Sequence, residues 1–290
     1  MNSPELLKNL NEEQIKAITL KNESALILAG AGSGKTRVLT SRIAWLIHNQ
    51  LTNPTGLLAV TFTNKAAKEM LMRVTNQLPI HTRGMWVGTF HGLCNRMLRI
   101  HHREVNLPEG FQILDSSDQL SAIKRLMKIM NIDTDTFPPK EIQYFINSNK
   151  DEGIRSKNTK TYDAHSKKIN EIYSEYEKQC LKEGVVDFPE LLLSCYELLE
   201  KNSNLKEHYQ EKFKHILIDE FQDTSLLQYK WLKLLAGKNN YIFAVGDDDQ
   251  SIYAFRGARV GNMQDLEKDF KIKKVIKLEQ NYRSTNNILN

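Results

Sequence analysis

The 290-residue chain contains no run of about 18 apolar residues, the length a membrane-spanning helix needs. Its polar start, Met1-Asn2-Ser3-Pro4-Glu5, carries no apolar signal region, so neither a membrane span nor export is expected. Cysteine is scarce: Cys94, Cys180 and Cys195 show no paired spacing, which argues against a disulfide framework or a zinc site. They read as reduced packing residues, and a cytoplasmic setting, in a bacterial cytosol or nucleoid, is the expectation. Internal repeats and low-complexity tracts are missing, which excludes solenoids and disordered arrays. Charge of one sign is not in strong excess: 40 Lys and Arg stand against 35 Asp and Glu, a balance that permits a polyanionic partner without requiring one. No Asn-Lys-x-Asp stretch occurs, so the usual guanine-reading motif is absent. What is present, 40% apolar and 26% charged residues, is enough for a large core and predicts two domains.

The most informative stretch is Ala29-Gly30-Ala31-Gly32-Ser33-Gly34-Lys35-Thr36. It follows the apolar run Ala25–Leu28 and precedes Val38, Leu39, Ile43, Leu46 and Ile47, spaced as one helical face, so it reads as strand, phosphate loop, helix. Glycines at 30, 32 and 34 allow backbone N–H groups to turn toward phosphate oxygens at a helix N-terminus, where the dipole favours anions. Lys35 adds a point charge, and the Thr36 hydroxyl suits Mg²⁺. Ala29 stands where the strict pattern has glycine.

A second stretch, His215-Ile216-Leu217-Ile218, is a short apolar strand ending in Asp219 and Glu220. At the C-terminal edge of a parallel sheet, Asp219 could hold Mg²⁺ and Glu220 could take a proton from an attacking water. A third strand, Tyr241–Gly246, leads to Gln250, suited to a γ-phosphate or the attacking water, and to Tyr253, Phe255 and Arg256. Flat faces beside a cation bind single-stranded bases with little regard to sequence. Thr61-Phe62-Thr63-Asn64 and Phe90-His91 repeat that pattern after two further strands, Leu57–Thr61 and Trp86–Gly88. Singly, each aromatic could be core; three such clusters after sheet strands point to a ligand edge.

Other signals organise the chain. Asn11 reads as a helix cap with Gln14 three residues on, so Gln14 has a structural role available. One face of the helix expected over 91–103 carries Arg96, Arg99 and Arg103, a stripe that could follow a phosphate backbone or simply face solvent. Residues 105–212 read as helices only, over 118–130, 140–149, 165–182 and 189–199. The stretch Gly153–Thr161 reads as a mobile loop without assigned function. The expected fold is therefore α/β: a phosphate-loop parallel sheet flanked by helices, with an inserted α-helical subdomain.

Together with Thr-Phe-Thr-Asn-Lys-Ala-Ala, Gly-Thr-Phe-His, Asp-Glu-Phe-Gln-Asp-Thr, Gly-Asp-Asp-Asp-Gln-Ser-Ile-Tyr and Gln-Asn-Tyr-Arg-Ser, in that order, the phosphate loop resembles those of the UvrD/Rep/PcrA-type superfamily 1 helicases. The resemblance implies a RecA-like ATP-binding domain 1A over 1–104 and 213–280, a helical insertion 1B over 105–212, and the start of a missing second RecA-like domain at 281–290. It implies ATP and Mg²⁺ as ligands, single-stranded DNA and its junctions with duplex as partners, and 3′ to 5′ movement with duplex unwinding in DNA repair or replication. It gives Gln14 the adenine edge and Lys35 the phosphates, sets Arg37 beside the nucleotide, and gives Thr36 and Asp219 the metal and Glu220 the proton. Gln250 would sense the γ-phosphate, Tyr282 would stack on adenine and Arg283 would act as an arginine finger. DNA would meet Phe62, Asn64, His91, Tyr253, Phe255 and Arg256. Such motors usually carry tryptophan at the position of Phe255, so a smaller stacking face is expected there. The resemblance also implies that the chain alone binds nucleotide weakly and does not unwind DNA. Three rivals share part of the pattern: the motor part of a helicase-nuclease, a nucleotide-gated DNA-binding scaffold without catalysis, and a GTPase or small-molecule kinase.

Overall fold

The structure, a computed structural model, describes residues 6–30, 32–247 and 262–280. The expectations for Ala31, Gln250, Tyr253, Phe255, Arg256, Tyr282 and Arg283 lie outside the described residues. In chain order the strands are β1 (Ala25–Ala29), β2 (Leu57–Thr61), β3 (Trp86–Thr89), β4 (Gln112–Leu114), β5 (Val185–Asp187), β6 (His215–Ile218), β7 (Tyr241–Gly246) and β8 (Lys274–Leu278). The helices are α1 (Glu12–Ile18), α2 (Lys35–His48), α3 (Asn64–Gln77), α4 (Phe90–Ile100), α5 (Ser116–Ile129), α6 (Pro139–Asp151), α7 (Ala164–Glu183), α8 (Phe188–Lys201), α9 (Ser203–Lys212), α10 (Leu226–Leu235) and α11 (Asn262–Asp269). They fall into two compact units, one made of the described residues up to Leu93 and from Asn202 onward, the other of Cys94–Lys201. The expected boundaries, 104/105 and 212/213, are thus displaced to 93/94 and 201/202. Helix α4 runs through the first boundary without a break, so no turn residue marks it.

In the first unit six strands pair in the order β3-β2-β6-β7-β1-β8, every pairing parallel. This is the RecA-like α/β sheet that the sequence predicts. Strands β2 and β6 are buried at every position, as apolar runs covered on both faces must be. Strand β8, an alternating Lys-Val-Ile-Lys-Leu edge strand with only Ile276 and Leu278 buried, is one the sequence analysis does not predict. Its lysines blunt the open edge against further pairing. Registers such as Thr61↔Thr89, Val60↔Ile218, Ile218↔Ala244 and Leu28↔Gly246 bring the C-terminal ends of five strands level. The segments that follow them are therefore neighbours at one edge of the sheet, where open α/β sheets bind ligands.

Helix α1 starts with the expected capping box: Asn11 accepts from the Gln14 N–H at 2.8 Å, and the Gln14 side chain accepts from the Asn11 N–H at 3.2 Å. Beyond its end the guanidinium of Arg42, 1% exposed, donates to the carbonyls of Ile18 at 2.7 Å and Lys21 at 3.3 Å, and also to that of Leu20. Burial lowers the Arg42 pKa to about 9, still above the physiological range, so it remains a cation holding the last carbonyl of α1 and two carbonyls just after it to helix α2.

His215, 2% exposed at the start of β6, has its pKa lowered to about 4 by burial, reinforced by the nearby charges of Arg42 and Lys214. Its folded pKa lies below the unfolded value, so the neutral ring contributes stability fully above about pH 6.5, lost as pH falls toward 4. At about 1.4 kcal/mol per pH unit the loss reaches about 3 kcal/mol across that window. Urea unfolding of wild type and His215→Phe between pH 7 and 4.5 should show the wild type losing that increment and the variant lacking it; parallel curves would refute the assignment.

The second unit packs α5, α6 and α7 around Ile123, Met127, Ile142, Ile146, Ile172, Tyr173 and Tyr176. Three features differ from the sequence expectation. A short parallel pair, β4 with β5, joins segments more than 70 residues apart, and three residues per strand are too few to leave a periodic signal. The stretch 153–161 is anchored: Arg155 grips Glu190 with both Nη atoms at 2.7 and 2.8 Å, Glu197 through Nε at 2.9 Å and Glu177 at 3.2 Å. The arginine stripe also breaks up, because α4 ends at Ile100, short of Arg103, and Arg99 lies 3.6 Å from the Phe111 ring centre while donating to Glu109 O. Among the described residues no helix is long and apolar enough to cross a membrane.

Candidate nucleotide and nucleic-acid site

The described residues of the loop after β1 are braced by hydrogen bonds on both sides of residue 31. Gly32 and Gly34 have φ of 81° and 88°, the left-handed region, and Gly34 opens helix α2 from that conformation. A Cβ on Gly34 would stand 3.0 Å from Gln14 Nε2, so the position excludes side chains by space as well as by backbone. The Ser33 hydroxyl donates to Gly30 O at 2.7 Å, and Gln14 Nε2 donates to Ser33 O at 3.1 Å. Gln14 is 1% exposed with both ends of its amide engaged, so its work here is to fasten the phosphate loop to α1. The extra methyl of Ala29 is buried in the same core cluster as Ile27, Val38 and Leu278. Arg37 is exposed and bonds Lys8 O at 3.3 Å.

The acid pair comes to this loop from the end of β6. Lys35 Nζ lies 3.1 Å from Glu220 Oε2 and 3.7 Å from Asp247 Oδ2, the latter carboxylate being 1% exposed at the end of β7. Glu220 holds a left-handed backbone (φ 46°, ψ 49°), a conformation that costs a non-glycine residue about 1–3 kcal/mol and often marks a working site. Gln222, 5% exposed, donates from Nε2 to Glu220 Oε2 at 2.9 Å, while its Oε1 accepts the Asp247 N–H at 3.0 Å. Sequence reasoning gives neither Gln222 nor Asp247 a role, although both stand in quoted motifs, two residues after Glu220 and one after Gly246.

Asp219 is 4% exposed, and burial, then the nearby Glu220 charge, pushes its pKa up to about 6. Its Oδ2 accepts from the Thr61 hydroxyl at 3.4 Å, and its buried Oδ1 has no hydrogen-bond partner. An orphaned, buried carboxylate oxygen fits a hard divalent cation, and Thr36, next to Lys35, offers a hydroxyl of the right kind. Among the described residues no three His, Cys, Asp or Glu side chains cluster as a metal cage. The donor set suits Mg²⁺, which takes a carboxylate, a hydroxyl and substrate phosphates and keeps its waters.

The other expected contact residues divide in two. Thr61, 2% exposed, serves Asp219 and presents no surface to DNA, a correction to the sequence expectation. Phe90 is corrected likewise: 2% exposed, it is packed edge to face between Phe62 at 5.5 Å and Trp231 at 6.0 Å, and so braces the Phe62 ring from behind. Phe62 is half-buried, Asn64 is exposed and His91 is half-buried. Burial lowers the His91 pKa to about 4, which keeps the ring neutral at physiological pH and limits it to stacking and neutral hydrogen bonds.

A parallel sheet whose first loop has the form of a phosphate cradle, with an acid pair delivered to the loop lysine from a strand two places along the sheet, defines a RecA-like phosphate-loop nucleotide-binding domain. More narrowly, the chain belongs to the UvrD/REP helicase N-terminal domain family, which it matches over residues 10–271. It is 52% identical to DNA helicase II of Haemophilus influenzae across all of this chain and 40% of that protein. DNA helicase II of Escherichia coli is 50% identical over 98% of this chain and 40% of its own length. The ATP-dependent DNA helicase PcrA of Staphylococcus epidermidis is 42% identical over 98% of this chain and 39% of its own. The chain thus spans about two fifths of the length of these curated relatives.

Proposed function

We propose that this chain is the N-terminal, ATP-binding part of a DNA helicase that hydrolyses ATP to move 3′ to 5′ along single-stranded DNA and unwind duplex ahead of it, in the cytoplasm. The observation that carries the reading is that Glu220 and Asp247 both come within 3.7 Å of Lys35, Glu220 being next in sequence to an Asp219 whose buried Oδ1 has no hydrogen-bond partner. Lys35 is paired with carboxylates, so an incoming γ-phosphate competes with them for the ammonium group. Seating the phosphate therefore releases Glu220 to take a proton from the attacking water. Asp219 and Thr36 would hold Mg²⁺, which supplies charge neutralisation on the phosphates. The loop N–H groups orient the phosphate tail, and Gln14 keeps that loop in place. Gln250, Tyr282 and Arg283 take the nucleotide roles that the resemblance gives them, and residues 94–201 correspond to the inserted domain.

Single-stranded DNA crosses the same sheet edge over Phe62, Asn64 and His91, and Tyr253, Phe255 and Arg256 take the DNA roles that the resemblance gives them. A base stacked on an aromatic ring is worth about 1–3 kcal/mol, so Phe62→Ala in the full-length polypeptide should weaken single-strand affinity by about tenfold or more. Its KM for ATP should stay within about twofold. Fluorescence anisotropy with labelled oligonucleotide and an ATPase assay with and without single-stranded DNA read both quantities. ATP hydrolysis indifferent to DNA would overturn the reading as a motor, and unchanged affinity in Phe62→Ala would remove Phe62 from the track.

A further inference from the structure

Strand β2 ends on Thr61, a position as buried as the rest of the strand. Valine would fill such a place with the same branched shape, so what threonine adds is a hydroxyl, and a buried hydroxyl is unfavourable unless it is hydrogen-bonded. The Thr61 hydroxyl finds its bond at Asp219 Oδ2, 3.4 Å away; an ionised carboxylate can only accept, so Thr61 is the donor. One residue earlier, Val60 O accepts the Asp219 N–H at 2.9 Å. Two successive residues of β2 thus hold the backbone and the side chain of Asp219. The two carboxylate oxygens are left unequal: Oδ2 is bonded within the sheet, while the buried Oδ1 has no hydrogen-bond partner. Among the described residues no other side chain hydrogen-bonds to either oxygen.

We propose that Thr61 is the positioning residue of the metal carboxylate: its hydroxyl holds Oδ2 on the protein side and so leaves Oδ1 as the oxygen that takes the divalent cation. This rests on the reading of Asp219 as a metal ligand. Without the hydroxyl the carboxylate is free to turn about its Cβ–Cγ bond, and Mg²⁺ tolerates little departure from octahedral geometry. Loss of a partner that orients a metal ligand weakens metal binding by about 10–100-fold, and 3.4 Å is long for such a bond, so the lower end of that range is expected here. Thr61 acts through Asp219, so its loss is felt in metal affinity and not in the phosphate loop, which Gln14 and Ser33 brace.

Two variants of the full-length polypeptide test this. Thr61→Val keeps the branched shape and removes the hydroxyl, whereas Thr61→Ser keeps the hydroxyl and removes the methyl. With protein in excess over ADP, electron paramagnetic resonance reads the free Mn²⁺ left at each step of a titration. Mn²⁺ affinity of the ADP complex should fall about tenfold in Thr61→Val and stay within about threefold of the parent in Thr61→Ser. In EDTA, affinity for a fluorescent ADP analogue should change less than twofold in both. The Mg²⁺ concentration that half-saturates hydrolysis should rise in Thr61→Val, with kcat recovering at high Mg²⁺. A loss of Mn²⁺ affinity below fivefold in Thr61→Val would overturn the proposal, as would serine as damaging as valine, or an equal loss of the analogue in EDTA. If Thr61→Val unfolds, Thr61→Ala against Thr61→Ser decides, since both lose the methyl and only alanine loses the hydroxyl. Asp219→Asn separates the two readings. Parent-like Mn²⁺ affinity there would remove Asp219 as a ligand and the proposal with it; weak binding there beside parent-like binding in Thr61→Val would refute the role of Thr61 alone.

Discussion

Glu220→Gln in the full-length polypeptide is expected to reduce ATP turnover by about 10²–10⁴-fold, the range that a positioned general base contributes. The amide is isosteric and loses only basicity and charge. Because the carboxylate sits 3.1 Å from Lys35 Nζ, its neutralisation also removes a competitor for the lysine. Nucleotide affinity of Glu220→Gln should therefore equal or exceed that of the parent. Lys35→Ala behaves in the opposite way: it removes the cation that phosphate needs and leaves Glu220 and the buried Asp247 without their shared positive partner. Turnover is lost there together with binding. Single-turnover hydrolysis of labelled ATP, with equilibrium binding of a fluorescent analogue, separates the two. Equal loss of affinity in both variants, or residual turnover in Glu220→Gln within tenfold of the parent, would refute this division of roles.

Most of this site is legible in the sequence because its parts are local. The phosphate loop needs three glycines, a lysine and a threonine in one run, and the strands β1, β2, β6 and β7 are short apolar runs of the kind that a sheet covered on both faces requires. The capping box at Asn11 and Gln14 is likewise a spacing of three residues. What the sequence hides is set by contacts between distant residues. Thr61 and Asp219 meet across 158 positions, so nothing near Thr61 shows that its hydroxyl faces an acid. Phe90 looks the same in the sequence whether it lies on the surface or between Phe62 and Trp231. Arg42, on a helix otherwise read for its apolar face, finds its carbonyl partners 21 to 24 positions back. Gln222 is next to legible residues, yet its meaning comes from the Asp247 N–H on another strand.

The same rule governs the second unit, where the polar residues that fix the fold are scattered and meet only on folding. Lys150 and Asp187, each 1% exposed, pair at 2.7 Å, and Lys150 reaches Glu190 at 2.8 Å. Asp187 Oδ2 also accepts from Tyr176 OH at 2.9 Å and Gln119 Nε2 at 3.1 Å, while Oδ1 accepts the Glu190 N–H at 2.9 Å in the first turn of α8. Burial opposes the charge on Lys150, but Asp187 and Glu190 override it and raise its pKa. Burial likewise opposes the charge on Glu190, and Lys150 with Arg155 holds that carboxyl well below the usual range.

Removing Asp187 leaves a buried ammonium, a phenol, an amide and a helix N–H without their shared acceptor. Breaking a buried pair of this kind costs about 3–5 kcal/mol, so Asp187→Leu should destabilise the insert by that amount. The tryptophans give a means of locating the loss. Trp45, Trp86 and Trp231, the three in the chain, all belong to the first unit, whereas the second unit is mostly helix. In urea, far-ultraviolet circular dichroism of Asp187→Leu should therefore show an early helical transition that tryptophan fluorescence does not follow. Adding Lys150→Met should recover part of the loss, because it removes a buried ammonium left with Glu190 alone, while Glu190 keeps Arg155 at 2.7 Å. Coincident transitions with both probes, or a double variant weaker than Asp187→Leu, would show that the network does not carry the stability of the insert.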